Sequence, residues 1–415
     1  MNTTAILATF IGARLIQHVL ERYLARLNKS HYEQAERLQE AARVLKIDSK
    51  DLEKTLNYSR DKYAFGNWSG WIQLIISLLF IALGGLGWVE SLSKNIGDGP
   101  IVTGLAFFAI LGLLSSLVGL PFEWYYTFHL EEKHGFNRQT KKGFWIDRLK
   151  GLALTVVLGG LLLSALFWVM DRTGSTWWVY AWALIFGFSL LTVWLYPTFL
   201  APLFNKFTPV EEGELRDQIY ELAKRVDFQA DGISIMDASR RSAHGNAYFT
   251  GVFGKKKIVL FDTLVKSMST TEITAVLAHE LGHFKLHHIR WGLIRSFFST
   301  GIIFFLIALL MPYDALYHAF HLSGSSYYGA LTVFSLWFGV IGFFLQPISS
   351  LLSRRNEFAA DAFALQHIDD KRRLGDALLK LRETSHVMPI SHPLFSAVYH
   401  SHPPLLERLR AMRYI

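Results

Sequence analysis

Residues 269–285 read STTEITAVLAHELGHFK, and the HELGH within this stretch decides how the rest of the chain is interpreted. The opening Ser-Thr-Thr-Glu has the form of a capping box, and apolar residues follow at helical spacing, so we predict a helix. On that helix His279 and His283 share one face, where both imidazoles can bind the same metal ion. Glu280 is then the predicted base for the water that the metal activates. The pattern is typical of zinc hydrolases.

A third metal ligand has to come from elsewhere in the chain. Because the chain has no cysteine, the candidates are His, Glu and Asp. One extended form of the motif requires Gly and a further His downstream, but this chain has Leu286 and Ile289 at those places. We therefore predict that His287 and His288 lie at the surface or behind the ligands rather than on the metal.

Residues 354–361, which read RRNEFAAD, offer the better candidate. Glu357 and Asp361 are again four residues apart and so share one face of a predicted helix. We predict that Glu357 binds zinc and that Asp361 accepts the free N–H of a ligand imidazole, which fixes the tautomer of that ring. An isolated pair of this kind is more often a solvated acidic face, but the histidine motif favours the metal site. The expected cofactor is one Zn²⁺ per chain.

The composition places the chain among membrane proteins. Hydrophobic residues make up 51% of it, and the mean hydropathy is +0.25. Apolar runs close to the roughly 20 residues that a spanning helix needs lie at 71–89, 101–120, 149–170, 177–195, 291–311 and 327–345. A seventh, at 4–20, carries Arg14 and His18. We predict an uncleaved first span there, because a basic leader and a small-residue cleavage site are both missing.

The charges between these runs predict the orientation. Lys and Arg concentrate in 21–70, 121–148, 205–290 and 346–415, whereas 90–100, 171–176 and 312–326 hold only Lys94 and Arg172. The two groups alternate along the chain, so the positive-inside rule predicts a cytoplasmic basic face and an outside N-terminus. Two spans separate the two motifs, which therefore return to the same face and can share a metal.

The net charge of +8, from 42 basic and 34 acidic residues, does not by itself distinguish nucleic acid from membrane as the partner. The basic residues lie on the predicted cytoplasmic face, where anionic lipids attract them. The sequence carries no signature of a nucleic-acid-binding fold. We therefore predict the lipid bilayer as a partner and no nucleic acid. With no cysteine, the chain has no disulfide framework.

The segment 205–290 is predicted to be a soluble insert. It contains a helix near 211–225, a strand near 233–236, and a hairpin that pairs 246–251 with 257–261. The sheet before the metal helix could present an edge strand to which a peptide adds. The other interpretation, a hairpin that only packs beneath the helix, is equally compatible with the pattern. The lysines of the hairpin, 255–257, are predicted to form a solvated turn.

Further stretches carry a resemblance that covers most of the chain. Besides HELGH and RRNEFAAD, they are EEKHGFN at 131–137, APLFNKF at 201–207, NAYF at 246–249 and YHSHPPL at 399–405. With these motifs and seven spans, the chain resembles the Ste24 family of integral-membrane zinc metalloproteases. This is the CAAX prenyl protease 1 type of peptidase family M48.

The resemblance implies a fold as well as a chemistry. The expected fold class is mainly α and polytopic: seven transmembrane helices around an internal, water-filled chamber, with a gluzincin-like metalloprotease domain that contains a small β-hairpin or sheet. We predict four segments, which are spans one to five at 1–204, the catalytic insert at 205–290, spans six and seven at 291–345 and a C-terminal catalytic segment at 346–415.

The resemblance also assigns residues at the site. It implies His279, His283 and Glu357 as zinc ligands and Glu280 as the catalytic base. To these it adds Asn246 and His402, which approach the scissile peptide, with His402 placed to stabilise the developing oxyanion. From the residues alone His392 and His402 could not be told apart, since each stands between Ser and Pro.

The expected activity is that of a zinc endopeptidase of the membrane, which removes the C-terminal tripeptide of CAAX-type, prenylated substrates. One alternative is an HtpX-type quality-control protease, which usually has fewer spans. Another is an intramembrane-cleaving zinc protease, which the charges around the HELGH motif disfavour. A noncatalytic chaperone or partner of the translocation or quality-control machinery is the third.

The predicted location is a multi-pass membrane protein with its catalytic site towards the cytoplasm. The compact, cysteine-free chain, its immediate first span and its tail without a retention signal favour the bacterial inner membrane over the endoplasmic reticulum. In a bacterium that lacks prenylated proteins, cleavage of damaged or stalled membrane proteins is the expected task.

Overall fold

The computed structural model of this chain describes residues 2–250 and 256–415, and the described residues are mainly helical. The helices are α1 (Thr3–Tyr32), α2 (Ala35–Leu45), α3 (Ser49–Ala82), α4 (Gly85–Ile96), α5 (Pro100–Tyr125), α6 (Lys141–Leu154), α7 (Gly160–Arg172), α8 (Trp177–Leu195), α9 (Ala201–Phe204), α10 (Glu214–Arg225), α11 (Asp262–Ser267), α12 (Thr270–Lys285), α13 (His288–Leu310), α14 (Asp314–His318), α15 (Tyr327–His367), α16 (Arg372–Ser385), α17 (Pro393–Tyr399) and α18 (Leu405–Ala411). Short π-helical turns continue α5, join α6 to α7 and follow α8.

Seven helical segments in the described chain are long and apolar enough to cross a membrane, as the sequence predicts. They are Thr3–Tyr32, Ser49–Ala82, Pro100–Glu131, Lys141–Arg172, Gly174–Phe204, His288–Leu310 and Tyr327–His367. In chain order each contacts the next, α3 through the π-helical continuation of α5, and α15 returns to α1. The segments therefore form a closed ring, across which α5 also contacts α15. The HELGH helix, α12, lies outside these segments.

The predicted span 71–89 is wrong in its extent. The spanning helix α3 begins at Ser49 and ends at Ala82, and Gly84 follows with a φ of 81°, a conformation that glycine adopts without strain. Helix α4 then begins at Gly85. At Gly87 an added Cβ would lie 2.3 Å from the carbonyl oxygen of His321. The hydropathy of this stretch is high overall, so it could not show where the helix ends.

The insert between α9 and α13 contains a four-stranded sheet in the described residues. Its strands are β1 (Phe207–Pro209), β2 (Gly232–Met236), β3 (Ala247–Thr250) and β4 (Lys257–Phe261), in the order β1-β2-β4-β3. Strand β2 is parallel to β4, and β3 is antiparallel to it. The predicted strand is confirmed, and so is the antiparallel pairing of the two hairpin strands over Ala247–Thr250. Residues 251–255 of the predicted hairpin lie outside the described residues. Strand β1 was missed, since it is three residues long and ends in proline.

Two details of the insert differ from the predictions. The predicted helix begins three residues later than expected, because α10 starts at Glu214. Of the three turn lysines, Lys255 lies outside the described residues, whereas Lys256 is half-buried and its Nζ stands 4.6 Å from the ring centre of Phe284. The four-segment division of the chain stays a prediction, and α15 runs through 345 without interruption.

The HELGH helix packs closely on α15 at a glycine. A Cβ added to Gly282 would lie 3.0 Å from Cα and 3.1 Å from the carbonyl oxygen of Ala360. Both are backbone atoms, which cannot turn aside as the end of a side chain could. Glycine therefore sets how near the two helices that carry the candidate ligands can approach.

We expect Gly282→Val to destabilise the protein and weaken its hold on metal, because the added methyl groups push α12 away from α15. Overpacking of this kind costs about 1–3 kcal/mol. Thermal unfolding and metal content of the purified variant measure both effects. Gly232→Val is the matched control, since a Cβ at Gly232 meets no atom within 4 Å. Equal unfolding temperatures and metal contents for the two variants would contradict this account.

Candidate metal centre

The capping box that the sequence predicts starts α12. The Ser269 side chain caps the helix, and its backbone N–H donates to Oε2 of Glu272 over 2.8 Å. Lys380 Nζ donates to the same oxygen over 2.6 Å, which ties the start of α12 to α16. The helix then carries His279 and His283 on one face, with their Nε2 atoms 3.2 Å apart.

Helix α15 brings Glu357 to the same place. Its Oε1 lies 3.2 Å from Nε2 of His283, and its Oε2 lies 3.4 Å from Nε2 of His279. One candidate ligand atom from each of the three residues lies within 4.8 Å of the other two. The HELGH and RRNEFAAD motifs thus meet on one side of the ring. This agrees with the prediction that two spans separate them and return them to the same face.

The donor set fits a metal ion. Glu357 is buried, and its Oε2 accepts no hydrogen bond of good geometry, although Nδ1 of His402 is 2.7 Å away. A buried carboxylate oxygen without a directed donor is costly unless a cation satisfies it. Two imidazole nitrogens with one carboxylate are a common set for catalytic metal sites that keep a coordination position open. His279, His283 and Glu357 are therefore the residues that could hold the ion.

Asp361 lies behind this group. Its Oδ1 is 2.8 Å from Nδ1 of His279, the ring nitrogen that faces away from the ligand cluster. Arg408 holds the carboxylate from the other side, with Nε donating to Oδ2 over 2.9 Å and Nη2 to Oδ1 over 2.6 Å. Asp361 and Arg408 are both buried. Arg408 thus holds Asp361 in place, and Asp361 in turn fixes the orientation of the His279 ring.

Arg408 is a site residue that the sequence reasoning missed. One signal was present: Leu405, Arg408, Leu409 and Met412 follow the i, i+3, i+4, i+7 spacing of an apolar helical face. A charged residue within such a pattern has to find a buried partner. Nothing in the sequence, however, indicates that this partner is a carboxylate 47 residues upstream.

Glu280 and Asn246 line a cavity of about 170 Å³ beside the ligand group, together with His402 and Arg408. Glu280 is half-buried, and burial raises the pKa of its carboxyl above the ordinary value. Asn246 stands immediately before β3, and its Oδ1 accepts a hydrogen bond from the backbone N–H of Ala247 over 2.8 Å. A carboxylate and two polar side chains therefore face one cavity beside the ligand group.

The tail places His402 rather than His392 at the centre. Arg354 on α15 donates through Nη1 to the carbonyl oxygens of Ser396 over 2.6 Å and His400 over 3.1 Å. These bonds hold the segment that leads to His402. His392 instead caps α17, where its Nδ1 accepts from the backbone N–H of Leu394 over 3.2 Å. The structure thus separates two Ser-His-Pro stretches that look alike in sequence.

The two histidines after the motif lie outside the ligand group. His287 is exposed and has a φ of 59° where α12 passes into α13. His288 lies behind His283, with the two Nδ1 atoms 3.0 Å apart. Their positions agree with the prediction that neither binds the metal.

The comparisons with known proteins give the family. The N-terminal profile of CAAX prenyl proteases, described by five membrane helices, matches residues 30–206, and that of peptidase family M48 matches 209–415. The Homo sapiens CAAX prenyl protease 1 homolog is 36% identical over 88% of this chain and 87% of its own length. For CAAX prenyl protease 1 of Saccharomyces cerevisiae the identity is 36%, over 97% of this chain and 94% of the relative.

This chain belongs to the CAAX prenyl protease 1 family of M48 peptidases. The crystal structure of S. mikatae Ste24p has the same fold, with a TM-score of 0.92, 34% identity and coverage of 100% of both chains. As an M48 member, the chain is a multi-pass membrane metalloprotease that acts on peptides or proteins. The HtpX-type and noncatalytic alternatives are not favoured by these matches.

We expect Asp361→Ala to weaken metal binding about 10- to 100-fold, the usual effect of removing the group that orients a ligand histidine. The variant leaves the three candidate ligands in place. Metal content after dialysis against graded chelator measures the loss. Asp217→Ala, at an exposed position of α10, is the control. If both variants retained the same metal as the unmodified protein, the orienting role of Asp361 would be refuted.

Proposed function

We propose that this protein is a zinc endopeptidase that removes the last three residues of CAAX-type substrates. The observation that carries the proposal is the group of His279, His283 and Glu357, with Glu280 beside it. The ion would be one Zn²⁺ held by those three side chains. When bound, Zn²⁺ supplies Lewis acidity at the scissile carbonyl and makes a neighbouring water acidic. The substrate follows from relatives that are named CAAX prenyl proteases.

The chain's own residues carry the proton transfers in this proposal. The Glu280 carboxylate accepts a proton from the attacking water and then returns it to the nitrogen of the leaving peptide. The imidazole of His402 donates a hydrogen bond to the oxygen on which charge develops. Asp361, itself held by Arg408, keeps Nδ1 of His279 protonated so that Nε2 is free for the metal.

The sheet supports a mode of substrate binding. In the described residues β3 has a neighbour strand on one side only, which is β4. The other edge is available to a peptide that adds antiparallel to β3 through backbone hydrogen bonds. Such a peptide would pass Asn246 and enter the cavity that contains Glu280 and His402. Asn246 would then hold the peptide next to the bond that is cut.

Mass spectrometry of a matched peptide pair tests the proposal. Two peptides ending in Cys-Val-Ile-Met, one farnesylated and one unmodified, are incubated with metal-loaded protein and with the Glu280→Gln variant. We expect the unmodified protein alone to release Val-Ile-Met, and comparison of the two peptides shows whether the lipid is required. Failure to cut either peptide would remove the CAAX assignment and redirect the search to cleavage of damaged membrane proteins.

We further propose that the catalytic side faces the cytoplasm, since the basic loops lie on that side of the ring. From the compact, cysteine-free chain we propose a bacterial inner membrane as the location, where a substrate would carry the CAAX-type C-terminus without a prenyl group. Labelling of single cysteines introduced on either side is direct in this chain, because it contains no other. In intact cells, a membrane-impermeant thiol reagent should label a cysteine at exposed Asp217 only after the membrane has been made permeable.

A further inference from the structure

A second cavity, of about 840 Å³, adjoins the candidate centre. Its wall is formed by α1, α3 and the chain that follows α16, and it includes His244 and His400. Each of these histidines is two residues from a residue of the smaller cavity, Asn246 and His402 respectively. Two residues span at most about 7 Å, so the two cavities lie close to each other. Its volume is within the range of about 300–1,000 Å³ that is typical of ligand sites.

The direction of β3 decides which part of a substrate reaches this cavity. The strand runs from Ala247 to Thr250, away from the centre. An antiparallel peptide on its open edge therefore runs towards Ala247, passes Asn246 and continues towards His244. The residues that follow the scissile bond thus enter the larger cavity. Three extended residues span at most about 11 Å.

The cavity presents two cations that have no acidic partner. In the part of the chain that the structure describes, neither Lys62 nor Arg22 has a carboxylate oxygen within 4.0 Å. Lys62 stands on α3, with Nζ 4.9 Å from the ring centre of Tyr58. Arg22 donates through Nη1 to the carbonyl of Gly66 over 2.6 Å, and its Nε is buried without a partner. Both side chains line the cavity.

The carboxylates nearby already have other donors. Oε1 of Glu131 accepts from the hydroxyl of Tyr58 over 2.6 Å, and its Oε2 is 3.7 Å from Nε2 of His244. Oε1 of Glu21 accepts from Gln17 over 2.8 Å. Lys62 is exposed to the cavity rather than buried. A cation that faces a cavity without a carboxylate partner is free to bind an anionic ligand.

The apolar and aromatic part of the remaining wall includes Tyr32, Met388, Ile390 and Phe395. Polar side chains, among them Asn28, Ser59 and Ser391, also line it. A partly apolar cavity that presents two cations without a carboxylate partner suits a short peptide that ends in a free carboxylate. The last three residues of a CAAX-type substrate have that chemistry.

We propose that this cavity binds the C-terminal tripeptide of the substrate and that Lys62, with Arg22 beside it, binds the terminal carboxylate. The proposal rests on the proposed function. It adds the side chain that sets how many residues separate the C-terminus of the substrate from the scissile bond. An enzyme that holds the terminal carboxylate at a fixed place cuts a fixed number of residues before it.

The test compares two peptides that end in Cys-Val-Ile-Met, one a free acid and the other a C-terminal amide. We expect kcat/KM of the unmodified protein to be about 10- to 100-fold higher for the acid, the range expected for a hydrogen bond to a charged group. In Lys62→Met this ratio falls towards one, and in Lys62→Arg it is largely restored. Lys50→Met, at an exposed position of the same helix, is the control and keeps the ratio.

A binding measurement separates failure of this proposal from failure of the proposed function. The tripeptide Val-Ile-Met, as acid and as amide, is titrated into each variant in detergent and followed by microscale thermophoresis. Tighter binding of the acid that Lys62→Met abolishes supports the cavity even if no peptide is cut. If acid and amide bind equally, or if Lys62→Met leaves their difference intact, the proposal is overturned, whatever the cleavage result. If Lys62→Met does not fold, the comparison of acid and amide in the unmodified protein and in Lys62→Arg still tests the proposal, because equal binding of the two would overturn it.

Discussion

Replacing Glu280 by Gln should lower kcat by about 10²- to 10⁴-fold, the contribution typical of a positioned general base, while the metal stays bound. Gln has nearly the shape of Glu but cannot accept a proton. The three candidate ligands are untouched by the change, so metal content should match that of the unmodified protein. Cleavage of the CAAX peptide, followed by mass spectrometry alongside metal analysis, measures both quantities.

The control for this variant is Glu211→Gln, which removes an exposed carboxylate that belongs neither to the ligand group nor to the cavity beside it. It should keep both activity and metal. A Glu280→Gln protein that cleaves at the unmodified rate, after contaminating protease has been removed, would show that another group takes the proton. Loss of metal together with activity would show that Glu280 acts on the ion rather than on the water.

Replacing Arg408 by Leu should be strongly destabilising and should also release the metal. Arg408 makes two hydrogen bonds to Asp361, and its Nη1 lies 3.7 Å from Oε2 of Glu357. Both carboxylates are buried, so the variant leaves two negative charges without this partner. Breaking a buried ion pair on one side typically costs about 3–5 kcal/mol. Thermal unfolding in detergent, with metal content, measures the result.

A double variant, Arg408→Leu with Asp361→Leu, separates stability from metal binding. Replacing both partners of a buried ion pair by apolar residues is often neutral for stability. We therefore expect the unfolding temperature to recover much of its loss. Metal binding should not recover, because nothing then orients the Nδ1 side of His279. Recovery of both, or an Arg408→Leu protein as stable and metal-rich as the original, would contradict the role assigned to this pair.

The candidate site was largely predictable because two motifs carry it on helices. A spacing of four residues fixes which side chains share a helical face, so His279 with His283 and Glu357 with Asp361 could be paired from the sequence alone. The structure brings these four residues together, while their roles in catalysis stay predictions. The seven spans were equally accessible, since each is an apolar run of sufficient length.

What the sequence could not show depends on contacts between distant segments or on backbone geometry. The break after α3 depends on the conformation of Gly84, which hydropathy does not register. The choice of His402 over His392 depends on Arg354, which holds the preceding tail against α15. Lys62 appears in sequence as one lysine among many, and only the closed ring places it in a cavity beside the centre.

Titration of the metal-free protein with Zn²⁺, with cleavage of the CAAX peptide followed at each addition, shows whether peptide cleavage depends on the metal. We expect no cleavage without metal and a rate that rises to a maximum at one equivalent of Zn²⁺ per chain. A His283→Ala protein should show no rise under the same conditions. Full activity in the metal-free protein would contradict the account.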